Sequence, residues 1–201
     1  KLDIYEYVVF ILAFFFLTVT ALLITPFVHL YTKGITDTNY NQPLFGFLLV
    51  VSEALYLVKL PHLNLAYSAN KFKEITIPAY TEAILNIAIS VALVKKFGLI
   101  GVTIGTIVGM TYRMAFHVYY TSKIVPGRVQ SIFYRKFFLF SAGSGAGFVF
   151  CYKLLPLHTV TVVNWIVHAI FYCIVIGSIL LTVSMLFFQN EIKFFVKYIK
   201  R

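Results

Sequence analysis

Residues 8–31 read VVFILAFFFLTVTALLITPFVHLY, a run without a single acid, lysine or arginine. A helix rises about 1.5 Å per residue, so roughly 20 apolar residues cross a hydrocarbon layer of about 30 Å. This run is long enough to span. In lipid every unpaired backbone group costs several kcal/mol, which forces such a segment into a helix. Five further stretches, 44–67, 77–94, 99–122, 137–155 and 162–188, meet the same test. The sequence therefore predicts an all-α, polytopic membrane helix bundle of six transmembrane helices over residues 1–188. A basic amphipathic tail follows over 189–201, in which Ile192, Phe195, Val196 and Ile199 alternate with lysines. It is expected to lie on an anionic membrane leaflet, or else to be only the frayed end of the last helix.

Composition excludes the soluble classes. The chain is 60% hydrophobic and 12% charged, against roughly 45–50% and about 25% in soluble domains. A net charge of +10 would suggest nucleic acid in a soluble protein, but here the basic residues lie between apolar runs, and the membrane surface is the expected partner. Cys151 and Cys173 sit in separate apolar runs without metal-ligand spacing and read as small buried hydrophobes. The chain begins at Lys1 with no cleavable signal segment, and is read as part of a longer polypeptide.

Counting basic residues on alternating sides gives an orientation. The side of the amino terminus holds Lys1, Lys71, Lys73, Lys123, Arg128, Arg135, Lys136, Lys193, Lys197, Lys200 and Arg201; the other holds Lys33, Lys95, Lys96 and Lys153. Eleven against four predicts that both ends are cytoplasmic.

Helices in lipid associate through small residues. Gly101, Gly105 and Gly109 recur every four residues, as do Gly143 and Gly147, and both sets predict close helix crossings. Pro26, Pro61 and Pro78 fall near predicted helix ends and are expected to shape those ends. Ionisable residues inside spans are costly and usually face a cavity or a partner. Lys59, Arg113 and His117, with Glu82, Asn86 and Glu53, are therefore the candidate substrate-binding residues. In one reading Lys59 and Arg113 hold an anionic group in a polar cavity, Arg gripping phosphate oxygens in bidentate fashion. In the other they snorkel to headgroups or pair with Glu82 or Glu53. His29, His62, His158 and His168 read as interfacial or packing residues. The seven acids are dispersed, and no phosphate-cradling loop, paired-histidine helix or nucleophile elbow occurs. No enzyme, metal or cofactor is expected.

Several stretches carry a family resemblance. The run from Pro26 through His29, Lys33, Gly34 and Asp37 to Asn39-Tyr40 is one. Others are Ala69-Asn70-Lys71-Phe72-Lys73-Glu74, Glu82-Ala83-Ile84-Leu85-Asn86-Ile87 with Ser90, and Phe97-Gly98-Leu99-Ile100-Gly101 through Gly105-Thr106 to Tyr112-Arg113. They resemble bacterial polysaccharide transporters, the Wzx-type oligosaccharide flippases of the multidrug/oligosaccharidyl-lipid/polysaccharide exporter superfamily. The resemblance covers residues 26–136, and the last two helices only by hydropathy. It implies helices nine to fourteen of a two-lobed flippase in the bacterial cytoplasmic membrane, lacking its amino-terminal lobe. Such a protein moves a polyprenyl-pyrophosphate-linked oligosaccharide, an O-antigen, capsule or exopolysaccharide unit, by alternating access, and needs the missing lobe for stability. The last two helices resemble those that form a tail-holding groove in murein precursor flippases. An H⁺ or Na⁺ gradient is implied as the drive, with no ion site assigned. The alternatives are a multidrug or cation antiporter of the same superfamily, and a non-transporting scaffold for a polysaccharide polymerase or glycosyltransferase.

Overall fold

A computed structural model describes residues 1–157 and 159–199. His158 and the last two basic residues, Lys200 and Arg201, lie outside the described residues. Among the described residues the chain forms α1 Leu2–Tyr31, α2 Pro43–Ser68, α3 Phe72–Phe97, α4 Leu99–Ile124, α5 Ser131–Leu154, α6 Val162–Phe187 and α7 Gln189–Ile199. The first six are long and apolar enough to cross a membrane, so this is a multi-pass membrane protein with an all-helical fold.

The connectors explain the helix ends. Pro43 opens α2, where its missing N–H is not needed. Thr161 caps α6 by accepting a hydrogen bond from the Asn164 amide at 3.3 Å. A single residue, Gly98, joins α3 to α4 at φ +56° and ψ −134°, a conformation nearly closed to L side chains. Asn70 takes φ +56° in the short turn between α2 and α3, one of the few non-glycine types that tolerates it.

Helix α1 is central and packs on α2, α5 and α6, while α4 lies between α2 and α3. The main core joins α1 to α5: Phe10, Phe14, Phe133 and Phe140 are buried together, with Phe140 and Phe14 rings 6.2 Å apart and nearly parallel. Phe188, expected to end the last span, instead breaks the helix and turns inward. It is fully buried and stacks on Phe140 at 5.2 Å. The tail is thus a separate amphipathic helix against α1 and α6 rather than a frayed end.

The spans are longer than expected at several ends. Helix α1 starts at Leu2, α3 at Phe72 and α5 at Ser131, because amphipathic turns continue each helix past its apolar run. Pro26 and Pro61 lie inside α1 and α2 near the ends expected of them, and the earlier start of α3 puts Pro78 inside that helix near its beginning. Near Pro26, the Trp165 indole donates to the Leu23 carbonyl at 3.2 Å.

Both predicted glycine seams form. A Cβ on Gly101, Gly105 or Gly109 would meet the backbone of α3 at Leu93, Asn86 or Glu82 within 3.0 Å. Gly143 and Gly147 meet Leu180, Val183 and Ile176 of α6. Helix α3 touches little besides α4, and Ile77, Tyr80, Ile84, Ile87 and Val91 face outward. Such an apolar stripe suits acyl chains.

Candidate functional site

Two polar clusters occupy the half of the bundle nearer the two termini. Alternating spans place Lys59 about ten residues from the end of α2, Glu82 about ten from the start of α3, and Arg113 about ten from the end of α4. At about 1.5 Å per residue each lies roughly 15 Å from the same end of the bundle. The α3–α4 seam sets their meeting, because Gly109 lets Glu82 approach.

Arg113 Nη1 donates to Glu82 Oε2 at 2.6 Å, and Lys59 Nζ stands 4.0 Å from Glu82 Oε1. One carboxylate thus serves two cations in direct contact and leaves a surplus positive charge there, with the Glu53 carboxylate acting on Lys59 only at longer range. Lys59 is fully buried, which rules out snorkelling. Its ammonium has no hydrogen-bond partner among the described residues and rests 4.7 Å from the Tyr56 ring centre. Arg113 Nε and both ring nitrogens of buried His117 are also without partners. A buried cation lacking acceptors is costly unless something supplies them. Arg113 reaches a recess of about 280 Å³ formed with Tyr67, Phe72, Ile75, Thr76, Ala79 and Tyr80, whereas Lys59 is sealed off from solvent.

The other two predicted residues stand apart. Glu53 is exposed on α2 and forms no ion pair among the described residues. Asn86 belongs to the α3–α4 seam, where its side-chain oxygen accepts from Ser90 at 3.0 Å and from Thr106 at 3.4 Å.

The second cluster escaped the sequence reading. Glu6 and Lys136 are fully buried, and Arg128, counted above as a loop charge, is nearly so. Lys136 Nζ donates to Glu6 Oε2 at 3.1 Å, to Asp3 Oδ1 at 3.2 Å and to the Asp3 carbonyl at 2.9 Å. Arg128 bonds Asp3 Oδ1 at 2.9 Å and also pairs with Glu6. His62 is no simple packing residue: its Nε2 lies 3.0 Å from Glu6 Oε1 and its Nδ1 2.8 Å from Thr121 Oγ1. The signal available was modest: two of only seven acids stand one turn apart at the start of the first span.

An apolar groove of about 400 Å³ runs between α1, α2 and α5, bounded by Phe14, Leu17, Phe47, Val51, Phe137 and Phe148. Among the described residues no group of His, Cys, Asp and Glu is placed to hold a metal ion, and Cys151 and Cys173 are free thiols.

These features define a multi-pass membrane protein with a charged mid-bundle cluster. Comparison with family models, with curated proteins and with solved structures finds no match.

Proposed function

We propose that this chain is the carboxy-terminal part of a flippase for polyprenyl-pyrophosphate-linked oligosaccharide, working by alternating access in a bacterial cytoplasmic membrane. The observation that carries the reading is the surplus cation at Lys59–Glu82–Arg113. A pyrophosphate offers oxygen acceptors to Arg113 at its recess, and to Lys59 in the state of the alternating-access cycle that opens its sealed position; Arg113 suits bidentate contact. The apolar groove between α1, α2 and α5 supports it further, since a polyprenyl tail needs a lipid-like path alongside the headgroup. The facing wall of the headgroup site belongs, in this reading, to the preceding lobe of the same polypeptide.

A cation or drug antiporter is less well supported. It needs an available intramembrane carboxylate: Glu82 is held by Arg113 and Lys59, which leaves Glu53, exposed on α2, as the acid that would have to serve. Cytoplasmic placement of both ends rests on the charge count. Removing the buried, paired Arg128 and Lys136 from that count leaves nine against four, and the bias persists.

The test is transbilayer movement of a labelled polyprenyl-pyrophosphate oligosaccharide in liposomes holding the purified full-length protein. Movement that depends on the protein supports the flippase. None, in the presence of intact protein, refutes it in favour of a scaffold, and movement of a cationic drug instead points to the antiporter.

A further inference from the structure

The recess that Arg113 reaches has a floor and a wall of different chemistry. Tyr67 is the last residue but one of α2 and Phe72 the first of α3, so their rings stand at the mouth, at the end of the bundle, 5.8 Å apart and tilted by 39°. Thr76 and Tyr80 follow one and two turns further into α3, about 6 and 12 Å down. Arg113 closes the bottom about 15 Å from the end. All three rings are accessible, Tyr67 being 43% exposed, Phe72 54% and Tyr80 69%. The Thr76 hydroxyl donates to the Phe72 carbonyl at 2.7 Å, which leaves its oxygen free to accept. Arg113 spends one N–H on Glu82, out of the five donors of a guanidinium. The slot therefore offers donors for phosphate at its base and, above them, flat apolar faces beside hydroxyls.

Depth decides which phosphate reaches that base. Helices α2, α3 and α4 have 26 residues each and are about 39 Å long, so they overshoot a hydrocarbon core of about 30 Å by about 4–5 Å at either end. Arg113 consequently lies about 10 Å inside the hydrocarbon boundary, whereas the phosphate of an ordinary phospholipid stays in the headgroup layer. A lipid-linked saccharide behaves differently: when its phosphate descends to Arg113, its first sugar has to follow into the slot and give up water. Aromatic rings offset that loss, because their faces carry partial negative charge and suit the C–H groups on the flat side of a pyranose, while a sugar hydroxyl can donate to the Thr76 oxygen. The order along the slot, rings at the mouth and cation at the floor, matches the order of sugar and phosphate along such a molecule. Its volume of about 280 Å³ falls just below the usual range of small-molecule sites, about 300–1,000 Å³, and suits one sugar ring rather than a longer chain.

We infer that this slot is the subsite for the first sugar of the carried saccharide, the residue esterified to the pyrophosphate, with Tyr67, Phe72 and Tyr80 as its stacking wall and Thr76 as its polar contact. The phosphate at Arg113 is the anion-site reading made above, on which the inference rests. The consequence is selectivity. A bare polyprenyl pyrophosphate engages the floor and leaves the wall empty, so the slot tells a glycosylated carrier from a spent one. Sugars beyond the first lie outside the mouth, and the slot sets no preference among them.

Full-length protein in nanodiscs is titrated with geranyl pyrophosphate and with its monoglycosyl esters of glucose, galactose and N-acetylglucosamine. At least one ester should bind roughly 3- to 10-fold more tightly than the bare pyrophosphate. Y80L and F72L, each keeping an apolar surface without a ring, should reduce that gain; Y119L, which removes an exposed tyrosine of α4 outside the slot, should keep it. Equal affinity for all four probes, a gain undiminished in Y80L and F72L, or one lost in Y119L overturns the sugar subsite and leaves the anion at Arg113 standing. R113M should weaken every probe. Unchanged binding in R113M, or no binding of any probe, removes the anion site and the sugar subsite with it. The gain should also be the same in nanodiscs of phosphatidylcholine and of phosphatidylglycerol, since surface charge acts alike on both kinds of probe; its loss in phosphatidylglycerol would show a membrane phospholipid filling the slot, and would overturn the inference.

Discussion

Replacing Lys136 by Met tests the buried cluster most sharply. The ammonium makes three close polar contacts, to the Asp3 carbonyl at 2.9 Å, Glu6 Oε2 at 3.1 Å and Asp3 Oδ1 at 3.2 Å, with no exposure to solvent. Methionine fills much of the same volume but leaves Glu6 Oε2 without its donor. Breaking a buried pair by removing one partner costs about 3–5 kcal/mol. The remaining contacts of Glu6, to Arg128 and His62, place the expected loss at the lower end, about 3 kcal/mol. For a chain of this size that corresponds to a fall of roughly 6–12 °C in unfolding temperature. Thermal unfolding of full-length protein in detergent, followed by tryptophan fluorescence or helix signal, measures it. The double variant E6Q/K136M removes both charges together, and should be more stable than K136M alone by a coupling of about 1–3 kcal/mol. An unchanged midpoint for K136M, or purely additive losses in the double variant, would refute the claim that these charges neutralise each other inside the bundle.

Other consequences are checked in the same assay. G105A should destabilise and push α3 away from α4, since its Cβ would lie 2.8 Å from the Asn86 carbonyl and 2.4 Å from Ser90 Oγ; G145A, with nothing within 4 Å, should be neutral or slightly stabilising because alanine favours helix by about 1 kcal/mol. Equal effects of the two would contradict the packing described for the α3–α4 seam. G98A should cost about 1–2 kcal/mol for backbone reasons alone, as no atom stands near the position of its Cβ. A midpoint identical to wild type would show that the turn relaxes freely.

Much of the fold was legible because its determinant is one-dimensional. An apolar run of sufficient length has a single fate in lipid, so six spans follow from hydropathy, and a four-residue glycine repeat announces a close crossing before the partner is known. Helix ends were less legible. Lys136 was placed just outside its span because the apolar run begins at Phe137, yet the helix starts at Ser131 and carries Lys136 on its buried face. The polar clusters show the same divide. Arg113 and Glu82 stood out individually, each being ionisable inside a span, whereas their pairing depends on the seam geometry. Glu6, His62 and Lys136 come from three helices far apart in sequence, and only tertiary packing puts them together. Asn86 was singled out for its polarity, and its neighbours Ser90 and Thr106 use that polarity to hold two helices together.

The central claim is that two cations sharing one carboxylate have capacity left for an anion. Its most direct measurement is the affinity of full-length protein for a soluble pyrophosphate-linked sugar headgroup, compared between wild type and K59M. Loss of a charge-assisted contact of about 1.5–3 kcal/mol predicts binding roughly 10- to 150-fold weaker in K59M. Equal affinity in the two proteins would show that Lys59 serves only Glu82, and the anion site would not stand.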